Sequence, residues 1–148
     1  MAGRSDEDIE LAARQLRITI GIDDQPRPDM TTVIIKLKDH GIIKNYVRVP
    51  DSEMPNDEAC FDSDERLLYI RESTFCAASA MHTYSESERR RARFTIAHEI
   101  GHVALRHEGT RYRGTTDVLA KKFARQVGPD ERDAERFAAA FLVPAHLV

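Results

Sequence analysis

Apolar residues recur along this chain with two different periods, and the switches between them mark its elements. Ile9, Ala12, Ala13 and Leu16 repeat at helical spacing behind Ser5 and a run of acids, which predicts a helix over residues 5–18. Residues 21–28 read as a loop by their Gly, Asp and Pro content. Asp29 caps a second helix through Lys38, with Val33, Ile34 and Leu37 inward and Gly41 past its end. Residues 42–49 read as a strand, turning either Ile43, Tyr46 and Val49 or Ile42 and Val47 to the core. After a loop over 50–55, Ala59–Phe61 and Leu67–Arg71 flank Asp62-Ser63-Asp64-Glu65 as the arms of a hairpin. Residues 73–84 carry small side chains with little period and fit a short helix or a flap.

Downstream the helical period returns. Ser85-x-x-Glu88 is a capping box, and the helix it opens should end near His107 with Gly109 beyond. Residues 116–127 predict another helix, stopped by Gly128 and Pro129. Ala134, Phe137, Ala138, Phe141 and Leu142 form the stripe of a last one. Helices surrounding a few short strands predict an α+β fold built on a small antiparallel sheet. At 148 residues the expectation is a single domain, 1–148, with a real core.

Composition narrows the picture. A net charge of −3 gives no general drive toward nucleic acid. Arg89, Arg90, Arg91 and Arg93 are the one dense basic cluster, read as exposed first turns of a helix rather than a DNA contact. No apolar run approaches a membrane span, and the acidic N-terminus is unlike a signal peptide, so a cytoplasmic setting is expected. Cys60 and Cys76 fit no metal spacing, and no disulfide is expected between them.

The chemistry concentrates in Phe94-Thr95-Ile96-Ala97-His98-Glu99-Ile100-Gly101-His102. Histidines four apart share one helix face and can reach one zinc ion, and Glu99 between them can move a proton without being forced to bind it. Ile96, Ala97, Ile100, Val103 and Leu105 make the helix apolar on nearly all sides, hence buried, and buried ionisable groups need partners. Gly101 costs the helix about 1 kcal/mol relative to Ala, so a close neighbour or the metal site itself should explain it. Two histidines leave a zinc short of ligands. The route with Gly three and His six residues after the second His fails, because those positions are Leu105 and Glu108. His107 instead suits a last helical turn. The other route is a carboxylate from the last helix. Glu131 and Glu135 are like charges at i, i+4 that a metal, a bound His or the neighbouring Arg132 and Arg136 could offset.

With these residues the chain resembles the ImmA/IrrE-type metallopeptidases. The matching blocks are Arg93-Phe94-Thr95-Ile96-Ala97-His98-Glu99-Ile100-Gly101-His102, then Glu131-x-x-Ala134-x-x-Phe137-Ala138, then Leu142-Val143-Pro144. They cover the second half of the chain. The resemblance implies a zincin-like layout with the H-E-x-x-H helix at the core and one Zn2+ per chain. It implies His98, His102 and Glu131 as metal ligands and Glu99 as the general base. The family has Asn or Asp where this chain has Glu135, which could orient a ligand histidine or replace Glu131. It further implies a cytoplasmic endopeptidase that cleaves a helix-turn-helix (XRE-like) repressor and so induces stress-response or mobile-element genes. Members often continue past the point where this chain stops, so it reads as a catalytic-domain piece or a minimal member.

In such a layout Leu67–Arg71 could be the sheet edge that receives an extended substrate. Tyr84, His82, Tyr112 and Arg136 are the candidate oxyanion donors. Two rival readings stay open: a non-catalytic zinc module that binds and titrates a repressor, and a hydrolase of small amides or short peptides.

Overall fold

A computed structural model describes residues 5–79, 83–105 and 129–144. The chain opens with α1 (Asp6–Thr19) and α2 (Met30–Asp39). Ser5 caps α1 through a hydrogen bond from the Asp8 N–H, and Asp29 caps α2 through one from the Thr31 N–H. Both helices bury the predicted stripes: Ile9, Ala13 and Leu16 in α1, and Val33, Ile34 and Leu37 in α2. Gly41 follows α2 with φ 71°, a left-handed turn that favours glycine.

Three strands follow, β1 (Asn45–Val49), β2 (Ala59–Asp62) and β3 (Leu67–Arg71), with a 3-10 turn at Asp51–Glu53 after β1. Strands β2 and β3 form the predicted hairpin, its turn held by Asp62 Oδ1 accepting from the Asp64 and Glu65 N–H groups. The sheet departs from expectation in two ways. Its order is β1-β3-β2 and β1 runs parallel to β3, so it is mixed rather than antiparallel. Consequently Leu67–Arg71 is the central strand, not an edge; the edges are β1 and β2. The physical reason lies in the connection. The segment between β1 and β2 carries the chain across the position that β3 then fills, and such a crossover leaves no local mark on the strand sequences.

Leu68, Ile70 and Phe61 face the main core, whereas Cys60 and Tyr69 join Val49 and Met54 in a smaller cluster on the opposite face. Of the two possible faces for 42–49, the structure buries Ile43 and Val49 and leaves Val47 exposed. The ambiguous stretch after β3 begins as a short helix, α3 (Glu72–Ala78), whose Phe75 stacks on Tyr46 at 5.9 Å between ring centroids. Then come α4 (Glu86–Ala104) and α5 (Pro129–Leu142), which pack against each other. Helix α4 ends at Ala104, ahead of the expected His107; His107, Gly109 and the predicted 116–127 helix lie outside the described residues.

One buried charge organises the frame. Arg17 of α1 is fully buried and donates to the Phe141 carbonyl oxygen at 2.8 Å, to that of Ile22 at 3.0 Å and to that of Gln25. Its guanidinium also lies over the Phe141 ring, 5.6 Å from the centroid. It thereby meets the negative end of α5 with a positive group. Burial pulls its pKa below the ordinary arginine value, with Asp23 and then Asp24 opposing that shift. Cys60 and Cys76 are not joined in a disulfide. Among the described residues no helix is long and apolar enough to cross a membrane.

Candidate metal centre

Helix α4 starts where its sequence says it must. The Ser85 hydroxyl accepts from the Glu88 N–H at 3.2 Å, and the Glu88 carboxylate accepts from the Ser85 N–H at 3.0 Å. Those two bonds satisfy donors that the first helical turn leaves open, and the Ser85 N–H and then its hydroxyl hold the exposed Glu88 carboxyl below its usual range. From that start, the helix carries His98 and His102 one turn apart on one face. Their rings lie 5.1 Å apart, centroid to centroid, at 47°.

The third group arrives on α5. Pro129 occupies the first position of that helix, where a missing N–H costs nothing. Glu131 follows in the first turn, where the helix dipole favours a carboxylate. Its Oε2 sits 2.9 Å from His98 Nε2 and 2.9 Å from His102 Nε2. A single oxygen thus closes a triangle with two ring nitrogens. All three residues are buried, at 6%, 2% and 7% exposure for His98, His102 and Glu131, so the polar atoms meet one another and not bulk water.

Gly101 makes this approach possible. A Cβ at that position would stand 3.1 Å from the Ala134 Cα and carbonyl oxygen and 3.2 Å from the Phe137 Cβ. The close-neighbour explanation of this glycine is therefore the correct one.

Glu99 points into the same cluster and is 6% exposed. One ligand atom from each of His98, Glu99 and His102 lies within 4.8 Å of the others. Four-coordinate metal sites have bonds of about 2.0–2.2 Å, which set neighbouring ligand atoms about 3.3 Å apart. The 2.9 Å separations lie a few tenths of an ångström inside that spacing. Two imidazoles and a carboxylate converging on one buried point therefore fit a divalent metal, with Glu99 beside them.

Glu135 is exposed, whereas Glu131 meets both histidines. The buried acid on that turn is Asp133, 2% exposed, which accepts from Arg136 Nη1 at 3.0 Å. In the sequence it is one acid among several over residues 130–136. Arg136 also donates from Nε to Asp6 at 2.8 Å, which places this guanidinium at the α1–α5 contact and removes it from the oxyanion candidates. Tyr84 is partly buried against the main core. His82 and Tyr112 lie outside the described residues.

A second cluster was not foreseen. Glu58, just ahead of β2, accepts from the Thr95 hydroxyl at 3.1 Å and from Arg91 Nε at 3.2 Å. Its own carbonyl accepts from the Arg71 N–H at 2.9 Å. Thr95 precedes His98 by one turn, so Glu58 fixes the histidine-bearing part of α4 against the β2–β3 hairpin.

A family model described as the IrrE N-terminal-like domain, peptidase M78, matches residues 47–148. No curated protein and no solved structure matches the chain.

Proposed function

The chain belongs to the IrrE N-terminal-like family of metallopeptidases, and on that premise we propose that it is a zinc-dependent endopeptidase acting on a protein substrate. One observation carries the reading. A single carboxylate oxygen of Glu131 lies 2.9 Å from the Nε2 atoms of both His98 and His102, with Glu99 buried alongside. His98, His102 and Glu131 would hold the metal. Two nitrogens and one carboxylate suit zinc better than the all-oxygen shells preferred by magnesium or calcium. Three protein ligands leave a further position open, as catalytic zinc sites do. Bound there, zinc supplies Lewis acidity: it makes water acidic near neutral pH and polarises a carbonyl.

The remaining work falls to the chain itself. Glu131 brings its carboxylate from α5 to the point that both Nε2 atoms face. The apolar packing of Ile96, Ala97, Ile100, Ala134 and Phe137 shields the cluster from bulk water. The Glu99 carboxylate accepts the proton of the attacking water and returns it to the leaving nitrogen. Glu58 and Thr95 keep α4 in register while this happens.

The substrate we infer is a helix-turn-helix (XRE-like) repressor in the cytoplasm, whose cleavage would induce stress-response or mobile-element genes; this rests on the family resemblance of the three sequence blocks. The experiment is a survey of new protein N-termini by mass spectrometry. Zinc-loaded protein and its Glu99→Gln variant are incubated in parallel with source lysate. New termini in a DNA-binding regulator, absent with the variant, are the expected result. Identical termini from both proteins would sink the peptidase reading.

A further inference from the structure

A groove of about 800 Å³ runs between the first turns of α4, the C-terminal end of α5, the end of α3 and the loop ahead of α2. That is toward the upper end of ligand-sized pockets, roughly 300–1,000 Å³. None of the candidate metal ligands lines it. Its charge opposes that of the whole chain. Five arginines, Arg27 and four from α4, line it against two carboxylates, Asp29 and Glu86, on a protein of net charge −3. The Asp29 carboxylate is already engaged by the Thr31 N–H and hydroxyl.

Two of the arginines have work of their own. Arg91 is held by Glu58, and Arg93 donates to the Pro28 carbonyl oxygen at 2.7 Å. Burial, and then the charge of Arg27, lower the Arg93 pKa, as expected for guanidinium groups crowded without enough counter-charge. Arg27 and Arg90 are exposed. Arg89 Nε is buried and has no hydrogen-bond acceptor among the described residues. Between these charges the lining is apolar. Phe94 is 39% exposed and Val143 66% exposed, and both line the groove.

We propose that this groove docks an acidic segment of the polypeptide substrate, its carboxylates on the arginines and an apolar side chain against Phe94 and Val143. Arginine forks pair carboxylates two bonds at a time, which lysine cannot do. A nucleic acid fits less well. Single strands need successive aromatic faces for stacking, and Phe94 is the one aromatic residue among the described residues of the lining. Position supports the assignment. Arg91, Phe94, His98 and His102, spaced three, four and four residues apart, share one face of α4. Phe94 precedes His98 by about 6 Å along the helix axis. The groove and the candidate metal thus share one face of α4.

The fate of the docked segment rests on the peptidase reading; its binding does not. The test is fluorescence anisotropy with the 148-residue Glu99→Gln protein, which removes turnover. The probe is a labelled peptide alternating Glu and Leu, set against its Gln/Leu counterpart and a labelled oligo-dT strand. The Glu/Leu peptide should bind best. Reversing the two exposed arginines, Arg27→Glu with Arg90→Glu, should weaken it about tenfold or more. Phe94→Ala should weaken both peptides. Circular dichroism of each variant checks that the helices persist. Binding unchanged by the charge reversal, no binding of the Glu/Leu peptide, or preference for oligo-dT overturns the proposal. A Glu/Leu peptide that docks while lysate surveys show no cleavage sinks the peptidase reading and leaves the groove assignment standing.

Discussion

Gly101 of α4 and Ala134 of α5 are in backbone contact, so close that a single added Cβ would stand 3.1 Å from the Ala134 Cα. The absence of a side chain sets the distance between the helix that carries both histidines and the helix that carries Glu131. Gly101→Ala gains about 1 kcal/mol of helix propensity but overpacks the α4–α5 contact, which typically costs about 1–3 kcal/mol. Backbone atoms and the Phe137 Cβ cannot swing aside, so the balance should be a net loss of stability, read as a lower thermal midpoint. The same separation should lift Glu131 off the imidazoles. Metal content after dialysis should fall in this variant even at temperatures where it is fully folded.

The three proposed ligands can be told apart from the other acids by metal analysis. Glu131→Ala and His102→Ala should each lose bound zinc during purification, because each leaves two protein ligands where a stable catalytic site uses three. Glu135→Ala should retain zinc, since that side chain is exposed. Glu99→Gln should also retain it while losing turnover. Mass spectrometry of the native protein, counting metal per chain, separates these outcomes. Zinc loss from Glu135→Ala would mean that the ligand register is wrong.

Glu58 gives a test of positioning. Its carboxylate takes the Thr95 hydroxyl at 3.1 Å and the Arg91 guanidinium, three residues and seven residues ahead of His98. Glu58→Ala should destabilise the protein by about 1–2 kcal/mol, the range for losing a partly buried hydrogen-bonded charge. Thr95→Val keeps the shape and removes only the hydroxyl, and should cost about 0.5–1.5 kcal/mol. Urea midpoints measure both. Equal stability of wild type and Glu58→Ala would show the contact to be idle.

Acid should loosen the sheet end of the molecule. The Arg48 guanidinium bonded to Glu72 holds that carboxyl below its usual range, and hydrogen bonds from the Ser73 N–H and then its hydroxyl do the same for Asp51. A carboxylate with a depressed folded pKa adds stability above its unfolded value and loses it as pH falls through the folded one. Stability should therefore hold down to about pH 5 and decline below about pH 4. Both groups lie near the surface, so the slope should be shallow and flatten further in high salt. Glu72→Gln should remove part of it. Chemical denaturation across pH 3–6 (about the carboxylate range) measures the slope.

Much of the site was legible because short-range rules govern it. The capping box at Ser85 and Glu88 fixes where α4 begins, and helical periodicity then fixes that His98 and His102 share a face. The missing side chain at Gly101 pointed to a close neighbour or to the metal site, and the neighbours are Ala134 and Phe137. Glu131 was legible through its register in a resembling block, whereas periodicity alone left it level with Glu135. The unread parts depend on distance. Whether β1 runs parallel or antiparallel to β3 is decided by a crossover, and neither strand records it. Thr95 and Glu58 are 37 residues apart. Asp133 and Arg17 sit on helix faces whose charges would suit solvent equally well, and only the packing of α1 on α5 buries them.

Arg17 lies outside the 47–148 stretch that the family model matches, yet its guanidinium serves the last turn of the helix that begins with Glu131. The family segment is therefore not portable by itself. Cut at residue 47, it would lose Ile9, Ala13 and Leu16, which share the main core with Phe137 and Phe141, and it would strand the Phe141 carbonyl without its donor. Any attempt to transplant the chemistry into another scaffold, or to express it as a minimal unit, must carry α1 along, because the first helix of the chain is the far wall of its last.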